Sequence, residues 1–160
     1  MPILKTETNK SPKPGASKSM FNKPKRYVNK VFIHCSASSN PKVDAKEISR
    51  WHRQRGWDEI GYHFFIKSDG TLETGRNIEK IPIAQAGFNK GSIAICLNGL
   101  LVSDFSQTQL DTLINLCQTI NTAYEKKITF HGHCEVAKKA CPVFDYKTIL
   151  KLNKLSQLGV

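Results

Sequence analysis

Val31-Phe32-Ile33-His34-Cys35 is the stretch that decides the fold. A continuous apolar run this short reads as a buried strand. Downstream, Asn40-Pro41 marks a turn, and Asp44-Ala45-Lys46-Glu47 resembles a capping box. Asp44 would accept backbone N–H groups and Glu47 would reach back, starting a helix from Ala45 to about Gln54 that Gly56 stops. Tyr62–Lys67, rich in aromatic residues, predicts a strand, and Ser68-Asp69-Gly70 a hairpin turn into a second strand, Thr71–Thr74. Ser92–Leu97 predicts another buried strand. Ser106-Gln107-Thr108-Gln109 is a second capping box, followed by apolar positions 110, 113, 114, 117, 120 and 124 at helical spacing. Ile128–Phe130 would be a strand delivering His131 and His133, and Asp145 would cap a terminal helix running to about Leu155. Strands interleaved with helices, including one hairpin, predict an α/β fold: a mixed central sheet flanked by helices, in a single domain spanning residues 27–160.

The charge is uneven. The chain carries 24 Lys and Arg against 13 acids, for a net +11. Eight of those basic residues but only one acid, Glu7, fall within residues 1–30. The segment 1–26 is rich in Lys, Ser, Pro and Asn with almost no apolar periodicity, which predicts a disordered basic arm. Two readings of the arm stand: attraction to a polyanion such as an anionic envelope surface, or a solvated tail that aids solubility. It has no aromatic interleaving of the kind that stacks bases, so no specific nucleic-acid binding is expected. No apolar run approaches the roughly 20 residues that cross a bilayer, and the lysines at the N-terminus precede no apolar signal core. The expectation is a protein held in a cytoplasm until something releases it. Five cysteines form no disulfide framework; Cys96 and Cys117 lie in apolar segments and read as small core residues.

The chemistry concentrates in His131-Gly132-His133-Cys134-Glu135-Val136-Ala137-Lys138-Lys139-Ala140-Cys141-Pro142 and in His34. Two imidazoles and one thiolate suit Zn²⁺, and three protein ligands leave one position open for water, as catalytic zinc sites do. Spacing alone leaves a second reading open, in which His133 is a hydrogen-bonded loop residue and Cys141 an inert buried thiol. His131 would be a hydrogen-bond partner of a ligand, and Cys35 and Cys134 adjoin the ligand positions.

Several ordered motifs carry a resemblance across Tyr27 to Leu150. They are Ile33-His34-Cys35-Ser36-Ala37, Ile48-Ser49-Arg50-Trp51-His52-Arg53 with Gly56-Trp57, Ile60-Gly61-Tyr62-His63-Phe64, Asp69-Gly70-Thr71, Ser92-Ile93-Ala94-Ile95-Cys96-Leu97, and His133 followed by Glu135 to Pro142. The chain resembles the type 2 N-acetylmuramoyl-L-alanine amidases, the fold of small phage lysozymes and of animal peptidoglycan-recognition proteins. It is most like the single-domain phage lysozymes, in which a cysteine rather than an aspartate is the third ligand. The resemblance implies zinc held by His34, His133 and Cys141, with Tyr62 and Lys139 as catalytic side chains. It suggests substrate-binding roles for His63 and Asn89. One departure is plain: Pro82-Ile83-Ala84-Gln85-Ala86-Gly87-Phe88-Asn89 lacks a histidine that the family often carries there, which leaves stem-peptide preference open.

The resemblance implies a monomeric endolysin that cleaves between N-acetylmuramic acid and L-alanine of peptidoglycan during host cell lysis. It would accumulate in the cytoplasm of the infected host and reach the wall once a membrane pore opens. Two other roles are compatible: a cytoplasmic amidase recycling soluble muropeptides, and a regulator that binds a phage RNA polymerase through the basic arm. A receptor without activity is disfavoured by the joint presence of His34, Tyr62, His133, Lys139 and Cys141.

Overall fold

The computed structural model describes residues 21–159. Most of the arm expected over 1–26 lies outside them. The strands are β1 (Lys30–Cys35), β2 (Phe64–Ile66), β3 (Leu72–Thr74), β4 (Ser92–Leu97) and β5 (Thr129–Gly132). They form one five-stranded sheet in the order β3-β2-β4-β1-β5. β1 lies parallel to both β4 and β5, β2 is parallel to β4, and β2 and β3 are antiparallel. The expected mixed sheet is therefore present, with the apolar run of β1 paired on both sides, between β4 and β5.

The helices follow from their caps. In α1 (Ala45–Gln54), Asp44 accepts the Glu47 N–H at 2.9 Å. Glu47 does not reach back; its carboxylate pairs with Arg50 and takes the Trp51 indole N–H at 2.8 Å, so the box is half closed. In α2 (Gln107–Ala123) the box closes both ways between Ser106 and Gln109. Gln109 is also fully buried and donates to the carbonyls of Ile66 and Asn98, which ties the start of α2 to the ends of β2 and β4.

The sheet packs on both faces. Val31, Ile33, Ile66, Ile93, Ile95 and Phe130 meet Leu113, Leu116, Cys117 and Ile120 of α2 in the larger core. On the other face Phe65 and Cys96 meet Val43 and Ile48 beside α1, with Trp51 and Tyr62 packed against them. That alternation explains the unbroken apolar runs: every residue of β4 is buried.

Three expectations are corrected. The packed chain starts before Tyr27. Phe21 is 6% exposed against Phe64 and Tyr124, and the Arg26 guanidinium donates to the carbonyls of Ile78 and Ser92, both at 2.9 Å. The strand expected from Tyr62 begins only at Phe64, because Gly61 and Tyr62 accept from Ile83 and Arg76 of the following loop rather than pairing in the sheet. The terminal helix is a single turn, α3 (Tyr146–Ile149). Lys151 takes φ +53°, and Asn153 Oδ1 draws in the N–H groups of Leu155 and Gln157, so the chain folds back to bridge Leu152 with Leu158.

Candidate metal centre and cleft

Across β1 and β5, Ile33 pairs in register with Gly132. The next residue on each parallel strand is a histidine, so His34 and His133 emerge side by side at the carboxyl edge of the sheet. Their ring centroids are 4.6 Å apart. Open α/β sheets hold ligands at this edge because the loops leaving the strands converge there.

The segment after His133 turns back to bring Cys141 to the same place. A short 3-10 turn, His133–Glu135, begins it, and the Cys134 N–H donates to the Cys141 carbonyl at 2.8 Å. Glu135 pins the turn: its carboxylate accepts from the Gly132 N–H at 3.0 Å, from the Tyr146 hydroxyl, and pairs with His131 at 2.9 Å. The Cys141–Pro142 peptide is cis. Cys141 Sγ ends 3.9 Å from His34 Nδ1 and accepts the Cys35 N–H at 3.2 Å.

The ligand-capable atoms of His34, His133 and Cys141 all lie within 4.8 Å of one another. The three residues can hold a metal ion. Both imidazoles are kept neutral, as ligation requires. Burial pushes His34 down to about 3, against an opposing hydrogen bond from Gln85, and burial together with the Lys139 cation lowers His133. Without a metal, the hydrogen bond between the two thiols raises Cys141 and holds Cys35 at about 7. A metal at this site must therefore displace the Cys141 proton.

A cavity of about 330 Å³ opens over the cluster, lined by His34, His133 and Cys141 together with Tyr62, His52 and Lys139. A second hollow of about 330 Å³ continues it past Ile83, Ala84, Asn89, Val136 and Ala137, with Trp57 and Lys139 bordering both. Larger hollows of about 470 and 460 Å³ lie beside the C-terminal half of α2 and the segment 23–29, away from the ligating cluster. The Tyr62 ring stands 5.1 Å from His34 and 5.4 Å from His52. Burial raises the Tyr62 phenol well above its ordinary value, so it remains a hydroxyl. A Cβ on Gly61 would sit 2.0 Å from the Ile83 carbonyl oxygen, so glycine there lets the cleft wall approach the tyrosine.

The other expected residues separate. His63 is 1% exposed and outside the cleft. Its Nδ1 accepts the Ala94 N–H at 3.1 Å and its Nε2 contacts the Lys80 carbonyl at 2.8 Å, so both nitrogens are spent on backbone. Asn89 borders the cleft, but its Oδ1 accepts the N–H groups of Ala84 and Gln85 at 3.0 and 2.8 Å, which makes it the residue that shapes the wall. His131 bonds Glu135 and Thr129 and stacks on Phe32, so it braces the loop and is no direct partner of His34 or His133.

The family model for N-acetylmuramoyl-L-alanine amidase matches residues 24–144. The chain belongs to that amidase family. Membership makes it a hydrolase of peptidoglycan. The endolysin of Escherichia phage T7 is 39% identical over 132 residues, covering 78% of this chain and 87% of the relative. The endolysin of Enterobacteria phage T3 is 37% identical over 140 residues, covering 83% and 92%. Among solved structures, the N-acetylmuramoyl-L-alanine amidase LysC from Clostridium intestinale URNW superposes with a TM-score of 0.71 at 26% identity, covering 91% of this chain and 92% of that one.

Two residues at or behind this amidase cleft carry no role that the sequence alone suggests. His52 lies within a quoted motif, yet only the fold shows it buried, accepting the Gly61 N–H on Nδ1 at 2.9 Å and packed edge-on to Trp57. Gln85 is fully buried, with Oε1 2.8 Å from His34 Nε2. Its place in the segment noted for a missing histidine was the one signal available.

Proposed function

We propose that this amidase is a zinc enzyme that hydrolyses the amide between the lactyl group of N-acetylmuramic acid and L-alanine of the stem peptide, and that it acts as an endolysin. The carrying observation is the convergence of His34, His133 and Cys141 in a cleft that Tyr62 and Lys139 also line. The donor set fits zinc. Two neutral nitrogens and a sulfur, at bond lengths of 2.0–2.3 Å in a tetrahedron, would stand roughly 3.5 Å apart. The 3.9 Å between Nδ1 of His34 and Sγ of Cys141 is close to that. Bound zinc would supply Lewis acidity and a water of lowered pKa.

The chain's own groups supply the rest. Attack on an amide builds negative charge on the carbonyl oxygen, and Lys139, exposed at the junction of the two hollows, offers that oxygen a cation. Tyr62, which lines the same cavity, keeps its proton and so has a hydroxyl hydrogen to offer the substrate. Trp57, Ile83, Ala84, Val136 and Ala137 give the adjoining hollow a mainly apolar wall against which a sugar–peptide junction can lie.

In this reading the protein accumulates in the host cytoplasm and meets its substrate after the membrane is breached. The lysines within residues 1–20 then favour an anionic envelope surface. The test is digestion of purified peptidoglycan by zinc-loaded protein, with and without chelator, followed by mass spectrometry. Stem peptides with new L-alanine amino termini, lost with chelator, are expected. Cleavage of soluble muropeptides with the wall left intact would overturn the endolysin role, and no cleavage of either despite bound zinc would overturn the catalytic assignment.

A further inference from the structure

We infer that Gln85 is a positioning residue that sets the tautomer of His34 before any metal arrives, leaving Nδ1 as the ligating nitrogen. The inference deepens the metal-site reading above and rests on it for its functional consequence. The chain of hydrogen bonds starts at a group that can only accept. The Phe88 carbonyl lies 3.2 Å from the Gln85 amide nitrogen. Ser92 Oγ lies 2.7 Å from the same nitrogen and gives its own hydrogen to the Asn89 carbonyl at 2.8 Å, so toward Gln85 it accepts. Two acceptors fix the NH₂ end of the amide, and Oε1 must therefore be the atom 2.8 Å from His34 Nε2. An amide oxygen accepts, so Nε2 carries the hydrogen. A neutral imidazole has only one, and Nδ1 is left with its lone pair on the side of Cys141 Sγ.

The arrangement is held rigidly. Gln85 is 0% exposed and His34 1%. Asn89 Oδ1 clamps the backbone N–H groups of Ala84 and Gln85, and the Phe88 N–H returns to the Gln85 carbonyl at 2.8 Å. The opposite tautomer would set the lone pair of Nε2 against the amide oxygen and place a hydrogen where the metal binds. Both are penalised for groups as buried as these two. Hydrogen-bond partners of ligating histidines commonly change metal affinity by about 10–100-fold when removed.

The test begins on metal-free, ¹⁵N-labelled wild-type protein, in which long-range ¹H–¹⁵N spectra report which His34 nitrogen is protonated. Protonation at Nε2 is expected, and protonation at Nδ1 overturns the inference. Gln85→Leu should give a mixed tautomer and bind zinc about 10–100-fold more weakly in competition with a chromophoric chelator. Ser92→Ala removes only the hydroxyl that aims the amide and should shift both readouts less, in the same direction, with the amide spectrum checking that each variant is folded. Wild-type tautomer and affinity in both folded variants would overturn the inference. A wild-type protein with the Nε2–H tautomer that binds no zinc would refute the metal reading while leaving the hydrogen-bond assignment standing.

Discussion

Acid should destabilise this amidase through His63, and the size of the effect follows from its surroundings. The ring is 1% exposed, accepts the Ala94 N–H, and places its other nitrogen on the Lys80 carbonyl. Burial pushes its pKa down to about 4, with the nearby guanidiniums of Arg26 and Arg76 acting in the same direction. In the unfolded chain a histidine titrates near 6.5. Between those values the unfolded state binds the proton and the folded state does not, so stability is full above pH 6.5 and falls as the pH drops toward 4. At about 1.36 kcal/mol per pKa unit, the loss from pH 7 is about 2 kcal/mol at pH 5 and about 3 kcal/mol at pH 4. That is a large part of an ordinary domain's 5–15 kcal/mol. His63→Asn keeps an acceptor near the Nδ1 position and removes the titrating ring. The variant should be less stable than wild type at pH 7, and the gap should narrow by about 2 kcal/mol at pH 5. Urea unfolding followed by tryptophan fluorescence, with chelator present throughout so that metal loss does not enter, measures the gap. A gap that stays constant with pH refutes the reasoning. So does a raised KM with unchanged stability, which would return His63 to the substrate site.

Three further outcomes are expected. Lys139→Ala should retain zinc and melting temperature, because the side chain is exposed, yet lose turnover on muropeptides by roughly 2–4 kcal/mol, or about 30–1,000-fold; unchanged kcat would remove it from the chemistry. Cys141→Ser should weaken zinc binding sharply, since a neutral hydroxyl replaces a thiolate, and metal content after dialysis reads this directly. Removing residues 1–20 should leave hydrolysis of small muropeptides intact, whereas removing 1–26 also strips the buried Phe21 ring and the Arg26 bonds to Ile78 and Ser92. The second truncation should cost on the order of 3–5 kcal/mol in chemical denaturation, and equal stability of the two would show that the segment 21–26 contributes nothing.

Elements whose signal is local were legible in the sequence. β4 keeps its expected bounds because burial on both faces demands an unbroken apolar run, and α2 because Ser106 and Gln109 close their box with partners three residues apart. The misread elements depend on distant partners. Phe21 sits among lysines and prolines that suggest a solvated tail, yet it packs on Phe64 and Tyr124, more than forty and one hundred residues away. The terminal segment 146–155 has apolar spacing suited to a helix, but the Asn153 side chain offers its own backbone a competing set of bonds and the chain turns back.

The site divides the same way, and the division has a chemical cause. Histidine and cysteine carry reactivity in their side chains, so residue type suggested His34, His133 and Cys141 as candidates; Lys139 and Tyr62 stood out only through the family resemblance, and the fold brings all five to one cleft. Gln85 and Glu135 carry none. An amide or a carboxylate acquires its role from what it faces: Gln85 from a carbonyl three residues on and a histidine fifty-one residues back, Glu135 from the Tyr146 hydroxyl and the Gly132 N–H. Asn89 shows how the two kinds are confused. It borders the cleft as a substrate residue would, yet its oxygen is consumed in bending the 84–89 loop, and that bend is what turns Gln85 inward toward His34. If His34 holds zinc as proposed, the influence of Asn89 on the reaction runs through Gln85 and that histidine. Asn89→Ala should accordingly lower zinc affinity along with turnover, whereas a residue that only contacts substrate would change KM and leave the metal in place.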